Sequence, residues 1–144
     1  MSSREQQLNE ALEAMHFGFR AMVDKPDQRL AELSFSRIHH RIMYFIGRNQ
    51  NCSVSELLKI LGVTKQYLNR PLKTLISKGY IDQQADEKDR RIKRLALTGL
   101  GDKLEVELTG TQRRRFAEIF DQVGTEAELH WREVMDKLAG KIRF

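Results

Sequence analysis

Between the leucine-rich run that ends at Leu61 and the next residue able to start a helix, Thr64, stand only Gly62 and Val63. A connection that short forces two helices to turn sharply on each other. Upstream, Ser53-Val54-Ser55-Glu56 has capping-box spacing, in which the serine accepts from the N–H three residues on and the glutamate reaches back. It predicts a helix over Val54–Leu61. Downstream, Thr64 predicts a helix to about Lys78, with Leu68, Leu72, Leu75 and Ile76 on its inner face. Two short helices around a glycine-containing turn make a helix-turn-helix, whose second helix is shaped to enter a DNA major groove.

The residues after the second helix narrow the fold again. Gly79 ends that helix and Tyr80-Ile81 begins a strand. Residues 86–91 form a charged loop, and Leu95-Ala96-Leu97 alternates between core and solvent as the returning strand. A helix-turn-helix with a charged hairpin after it is a winged helix, with the charge at the wing tip. From Thr64 to Arg94 there are nine cations against four anions, a surplus equal to the +5 of the whole chain. The remaining residues are balanced. A positive excess confined to one segment suits a polyanion-binding surface. A solvated basic face is the alternative that the charge alone leaves open.

Apolar stripes continue on both sides. Leu8, Leu12, Met15, Phe19 and Met22 predict a helix over about residues 4–23, which Asp24-Lys25-Pro26-Asp27 should break. Ser34 then caps a second helix with Phe35, Ile38, Ile42, Phe45 and Ile46 inward, ending in Gly47-Arg48-Asn49-Gln50-Asn51. After the wing, Thr98 caps a long helix to about Val123 carrying Leu100, Leu104, Leu108, Phe116 and Phe120. Gly124 stops it, and Thr125-Glu126-Ala127-Glu128 reads as a second capping box before a last helix with Trp131, Val134, Leu138 and Ile142 on one side. A winged helix of about 60 residues cannot cover all these faces, and a two-fold homodimer is the commonest way to bury them. A monomeric helical subdomain packed on itself is the other. Leu8, Leu12, Met15, Trp131, Val134, Leu138 and Ile142 are the candidate dimer contacts. The expected organisation is a single domain over 1–144, mainly α, with a winged helix-turn-helix core at 34–98, a two-stranded wing, and dimerisation helices at 1–33 and 99–144.

With these residues in place, the chain resembles the multiple-antibiotic-resistance regulator (MarR) family of bacterial transcription factors over nearly its whole length. The likeness rests on LLKILGVTKQYLNRPLKTLISKGYI, on the wing DEKDRRIKRLALT and on the flanking helices. The wing is the most specific part, a D-x-R-R-type tip running into L-x-L-T. The resemblance implies a homodimer of winged helices on a pseudo-palindromic operator in double-stranded DNA, repression as the expected mode of control, and often release by a small molecule or by oxidation. By that resemblance Arg91 is the minor-groove arginine and Asp89 the acid that orients it. Asp89 also reads as an ordinary turn cap. Pro71 departs from the family pattern, because it removes the backbone bond to the Tyr67 carbonyl and should kink or loosen the recognition helix.

Residue chemistry assigns the remaining roles. Gln66, Asn69 and Arg70 are the candidates for base edges, since Gln or Asn pairs two-pronged with adenine and Arg with guanine. Thr64, Lys65 and Lys73 suit phosphates, which set register without reading sequence, although Lys73 also reads as a solvent-facing helix former. Arg90, Lys93 and Arg94 add phosphate contacts at the wing, and Ser53 and Ser55 sit at a helix N-terminus that can receive one. A small-molecule effector would fall among His16, Phe19, His39 and Met43 by the family's pattern, where plain core is the competing reading. His39 and His40 are adjacent and point about 100° apart on a helix, so no metal site or cofactor is expected. Cys52, the single cysteine, forms no intrachain disulfide and stands outside the first helix, where the family's redox sensors carry theirs. No catalytic motif is present, so no enzyme is expected. The apolar runs are too short for a membrane span and no secretory leader stands at the N-terminus, which points to the cytoplasm. A winged helix used for protein or RNA binding, without operator selectivity, is the alternative function, and the basic surplus on the second helix and wing argues against it.

Overall fold

A computed structural model describes residues 2–142. The chain forms two compact units, one up to Thr111 and one from Gln112. The first contains α1 (Ser3–Glu32), α2 (Arg37–Arg48), β1 (Cys52–Ser53), α3 (Val54–Leu61), α4 (Lys65–Ser77), β2 (Ile81–Ala85), β3 (Lys93–Leu97) and the first half of α5 (Gly99–Val123). The second holds the rest of α5, then α6 (Thr125–Ala139) and a short 3-10 turn over Gly140–Ile142.

Pro26 does not end α1. The helix passes through it to Glu32, because Val23, Pro26 and Leu30 lie at steps of three and four and all three are buried. Burying that stripe outweighs one missing backbone bond. A capping box unnoticed in the sequence starts α1: Ser2 Oγ accepts from the N–H of Glu5 at 3.1 Å and the Ser2 N–H donates to Glu5 Oε2 at 2.7 Å. Ser34 does not cap α2, since its φ of +59° is left-handed and an N-cap needs extended backbone. Ser36 stands there instead, and its N–H donates to His39 Nδ1 at 3.0 Å.

In α3, Ser53 caps as expected, accepting from the Glu56 N–H at 3.0 Å, but the Glu56 carboxylate turns away to Arg94 and the box is half made. Gly62 closes α3 at φ +66°, and Thr64 caps α4 through the Tyr67 N–H at 3.1 Å. Pro71 leaves α4 a single element from Lys65 to Ser77, held by Leu68, Leu72 and Leu75 in the core. Thr125 caps nothing: Gly124, at φ +94°, takes the cap position and α6 starts on Thr125 itself. Glu128 pairs instead with Arg132, one turn on, at 2.8 Å.

The sheet has three strands, not two, in the order β1-β3-β2 and antiparallel throughout. Cys52 pairs with Leu95 and Ser53 with Arg94, so the stretch before α3 docks on the inner wing strand. Leu30, Ile42, Met43, Ile46, Leu57, Leu68, Leu75, Ile81, Leu95 and Leu108 are fully buried and form the core of the first unit. One polar network lies among them: His40 Nε2 and Thr109 Oγ1 are 3.1 Å apart, and the threonine hydroxyl donates to Glu105 Oε1 at 3.3 Å.

The wing is fastened at its base. Thr98 Oγ1 donates to the Gly79 carbonyl at 2.6 Å and accepts from the Gly101 N–H at 3.1 Å. Gly101 packs directly on the Tyr80 backbone, and a Cβ built there would run into the Tyr80 carbonyl oxygen, whereas one on Gly99 meets nothing. Gly101→Ala should therefore lose about 1–3 kcal/mol in urea unfolding, and Gly99→Ala should show no comparable loss.

Burial holds the His40 imidazolium below the ordinary histidine value of 6.5, with nearby Asp27 opposing it weakly, and His39 is lowered for the same reason. The unfolded chain therefore takes up protons that the folded chain refuses. This stability is fully present above pH 6.5 and declines as pH falls below it. The melting temperature should drop on acidification from neutrality, and drop less in His40→Gln.

Candidate nucleic-acid interface

The outer face of α4 is polar, exposed and uncommitted. Lys65, Gln66, Asn69, Arg70 and Lys73 are all exposed, and their side chains have no hydrogen-bond or ion-pair partner among the described residues. Thr64 is exposed too, its oxygen taken by the cap and its O–H left to donate. The sequence reading overlooked Tyr67, which is 53% exposed on the first turn of α4 between Gln66 and Asn69. Its place off the Leu68, Leu72, Leu75 stripe was the available signal. An aromatic ring there can make apolar contact with a thymine methyl.

The wing tip is organised by two carboxylates. Asp86 Oδ2 accepts from the N–H groups of Lys88 (3.1 Å) and Asp89 (3.0 Å), and the Asp86 N–H donates to the Ile92 carbonyl at 2.8 Å. Asp89 then clasps Arg91: Oδ1 accepts from the Arg91 N–H at 3.1 Å and from Nε at 3.0 Å, and Oδ2 accepts from Nη2 at 3.0 Å. The aspartate thus caps the turn and holds the guanidinium in a fork at once. Arg91 is nevertheless 91% exposed, so a fixed cation is presented to solvent. The Arg91 guanidinium holds the Asp89 carboxyl below its ordinary range, and the Asp89 N–H, followed by Arg94, does the same for Asp86. Arg90 and Lys93 are exposed beside it.

Two of the candidate DNA-contacting residues are engaged within the chain. The Arg94 Nε donates to Asp86 Oδ1 at 3.1 Å, Nη1 lies 3.5 Å from Glu56 Oε1, and the side chain is only 34% exposed. Ser53 is buried in β1 with its hydroxyl oxygen on the α3 cap, whereas Ser55 is exposed. The candidate effector residues occupy different surroundings. Met43 is fully buried in the core, and His39 stacks on Phe35 at 4.7 Å while capping α2. The exposed Phe19 ring lies under Arg37, and exposed His16 contacts Phe17. No cluster of metal-ligating side chains occurs among the described residues, and among them no helix is long and apolar enough to cross a membrane.

The profile described as the MarR family matches residues 33–92. Among curated proteins, the HTH-type transcriptional regulator PetP of Rhodobacter capsulatus is 37% identical over 134 residues, covering 93% of this chain and 81% of the relative. Among solved structures, Streptococcus pneumoniae FabT in complex with DNA superposes with a TM-score of 0.77 at 25% identity, covering 93% of this chain and 94% of that one. NadR in complex with 4-hydroxyphenylacetate superposes at 0.68 and 22% identity, covering 96% and 94%, a likeness of fold.

Cys52 is 4% exposed, and burial, then the Glu56 carboxylate, push its thiol above the ordinary value. A protonated, buried thiol is a poor nucleophile. The folded protein should react slowly with Ellman's reagent, and the full single equivalent should appear once denaturant is added.

Proposed function

The chain belongs to the MarR family, and from that premise we propose that it is a DNA-binding transcriptional regulator acting as a homodimeric repressor. The observation that carries the reading is Arg91, gripped two-pronged by Asp89 and held out at the wing tip, in the same unit as the uncommitted polar face of α4. A guanidinium fixed before binding loses little freedom on entering a narrow minor groove, where the negative potential is enhanced. Helix α4 enters the major groove, with Gln66, Tyr67, Asn69 and Arg70 toward base edges and Thr64, Lys65 and Lys73 toward phosphates. Arg90 and Lys93 add phosphate contacts from the wing.

Residues 34–98 form the DNA-binding core in this reading, and 1–33 and 99–144 bring two copies together. Leu8, Leu12, Met15, Trp131, Val134, Leu138 and Ile142, all exposed in the single chain, supply apolar surface for that contact. Two copies then read half-sites about 34–36 Å apart, one helical turn, in a pseudo-palindrome. A small molecule that alters the spacing between copies would release the DNA. The assignment includes no catalytic step.

Arg91→Ala should weaken binding to a duplex selected by the wild-type protein about tenfold or more, with melting temperature and oligomeric state unchanged. Loss of folding in that variant would make Arg91 structural. Wild-type affinity should fall with salt at a log–log slope of about −0.9 per phosphate neutralised, and a flat salt response would exclude the assignment.

A further inference from the structure

The aimed arginine at the wing tip is connected to the helix-turn-helix by an unbroken run of charged hydrogen bonds. Glu56 lies in the first turn of α3, Arg94 in β3, and Asp86 at the start of the wing loop. The Arg94 guanidinium spans the two carboxylates, with Nε 3.1 Å from Asp86 Oδ1 and Nη1 3.5 Å from Glu56 Oε1. The second oxygen of Asp86 accepts from the backbone of Lys88 and Asp89, and Asp89 grips Arg91. Glu56, Arg94, Asp86, Asp89 and Arg91 therefore form a single relay from α3 through β3 to the wing loop.

We propose that Arg94, held by Glu56 and Asp86, is a positioning residue that sets where Arg91 stands relative to the helix-turn-helix, and that it affects DNA binding through Arg91 and holds no phosphate itself. This rests on the reading of the wing as a DNA-contacting element. Three observations carry it. The Arg94 side chain is two-thirds covered, and its Nε is committed to Asp86. Its charge is already answered by two carboxylates, and handing it to a phosphate would take from the largely covered Asp86 its close partner, whereas the exposed Glu56 would stay in water. Surface ion pairs of this kind add little folding stability singly, so the relay's effect is geometric. The loop 86–92 is stapled internally by Asp86 and Asp89, and Glu56 with Arg94 ties its base to α3. The wing tip therefore turns with the helix-turn-helix as one piece. Displacing a preorganised cation by even an ångström forfeits the benefit of fixing it.

The test is a double-mutant cycle on the full chain, titrating by fluorescence anisotropy a duplex selected from a random pool by the wild-type protein. Arg94→Met should weaken binding about fivefold in the wild-type background and less than about twofold in the Arg91→Ala background. Equal losses in both backgrounds would overturn the proposal and make Arg94 an independent phosphate ligand, leaving the wing assignment intact. No effect of Arg91→Ala by itself would remove Arg91 from the interface and overturn both this proposal and the reading that rests on Arg91. Glu56→Gln, which keeps the fold and cuts only the distant link, should weaken binding with the same dependence on Arg91. Its failure to do so at an unchanged melting temperature would overturn the proposal even if Arg94→Met does not fold. Affinities are compared at equal folded fraction, read by circular dichroism.

Discussion

A crossing so close that only a hydrogen atom fits into it holds the reading surface together. At Gly101 the first turn of α5 lies on the Tyr80 backbone, and one residue class alone lacks the atom that would collide. Thr98 makes the crossing directional, giving its proton to the Gly79 carbonyl and receiving the Gly101 N–H. The end of α4, the start of β2 and the start of α5 thus meet at one hydroxyl. The L-x-L-T of the sequence is more than a strand that ends on a cap, because its threonine joins the recognition helix, the wing and the helix that leaves for the second unit.

Much of this was legible in the chain, and the exceptions share a physical cause. Apolar spacing located most of α1 and α2, α4, α5 and α6, because burial of a stripe dominates helix formation in a folded protein, and cap spacing located α3. Helix ends were read less well, since several side chains can satisfy the same few backbone groups. Ser34 and Ser36 are equivalent by composition, and only the left-handed turn at Ser34 decides between them. At α2 a histidine nitrogen fills the place a glutamate usually takes. Thr125 and Glu128 have box spacing but were not needed once Gly124 had turned the chain. Pro26 reads as a breaker from local rules, and a buried stripe on both sides of it prevailed.

The candidate interface divides in a similar way. The contact of Asp89 with Arg91, two positions apart, was implied by the family resemblance of the wing, while the residues alone offered Asp89 only as a turn cap. The contact of Arg94 with Glu56, separated by 38 positions, could not be read, because their meeting depends on Ser53 pairing with Arg94 across β1 and β3. That two-residue strand carries too little periodicity to be seen in a sequence. Tyr67 was legible too, since the helical period places it off the buried stripe, and it is exposed.

The same two-residue strand has a further effect. It pairs with Arg94 and Leu95 on the far side of β3, and the edge on the other side is β2, whose exposed residues are Asp82, Gln83 and Gln84. An open strand edge is a template for any other extended chain, and short length and a charged side chain are among the ordinary defences. Here β3 is paired along its whole length by β2 and at Arg94 and Leu95 by β1, and β2 is five residues long with a carboxylate on it. The stretch that docks before α3 therefore also blunts the far edge of the sheet at those two residues.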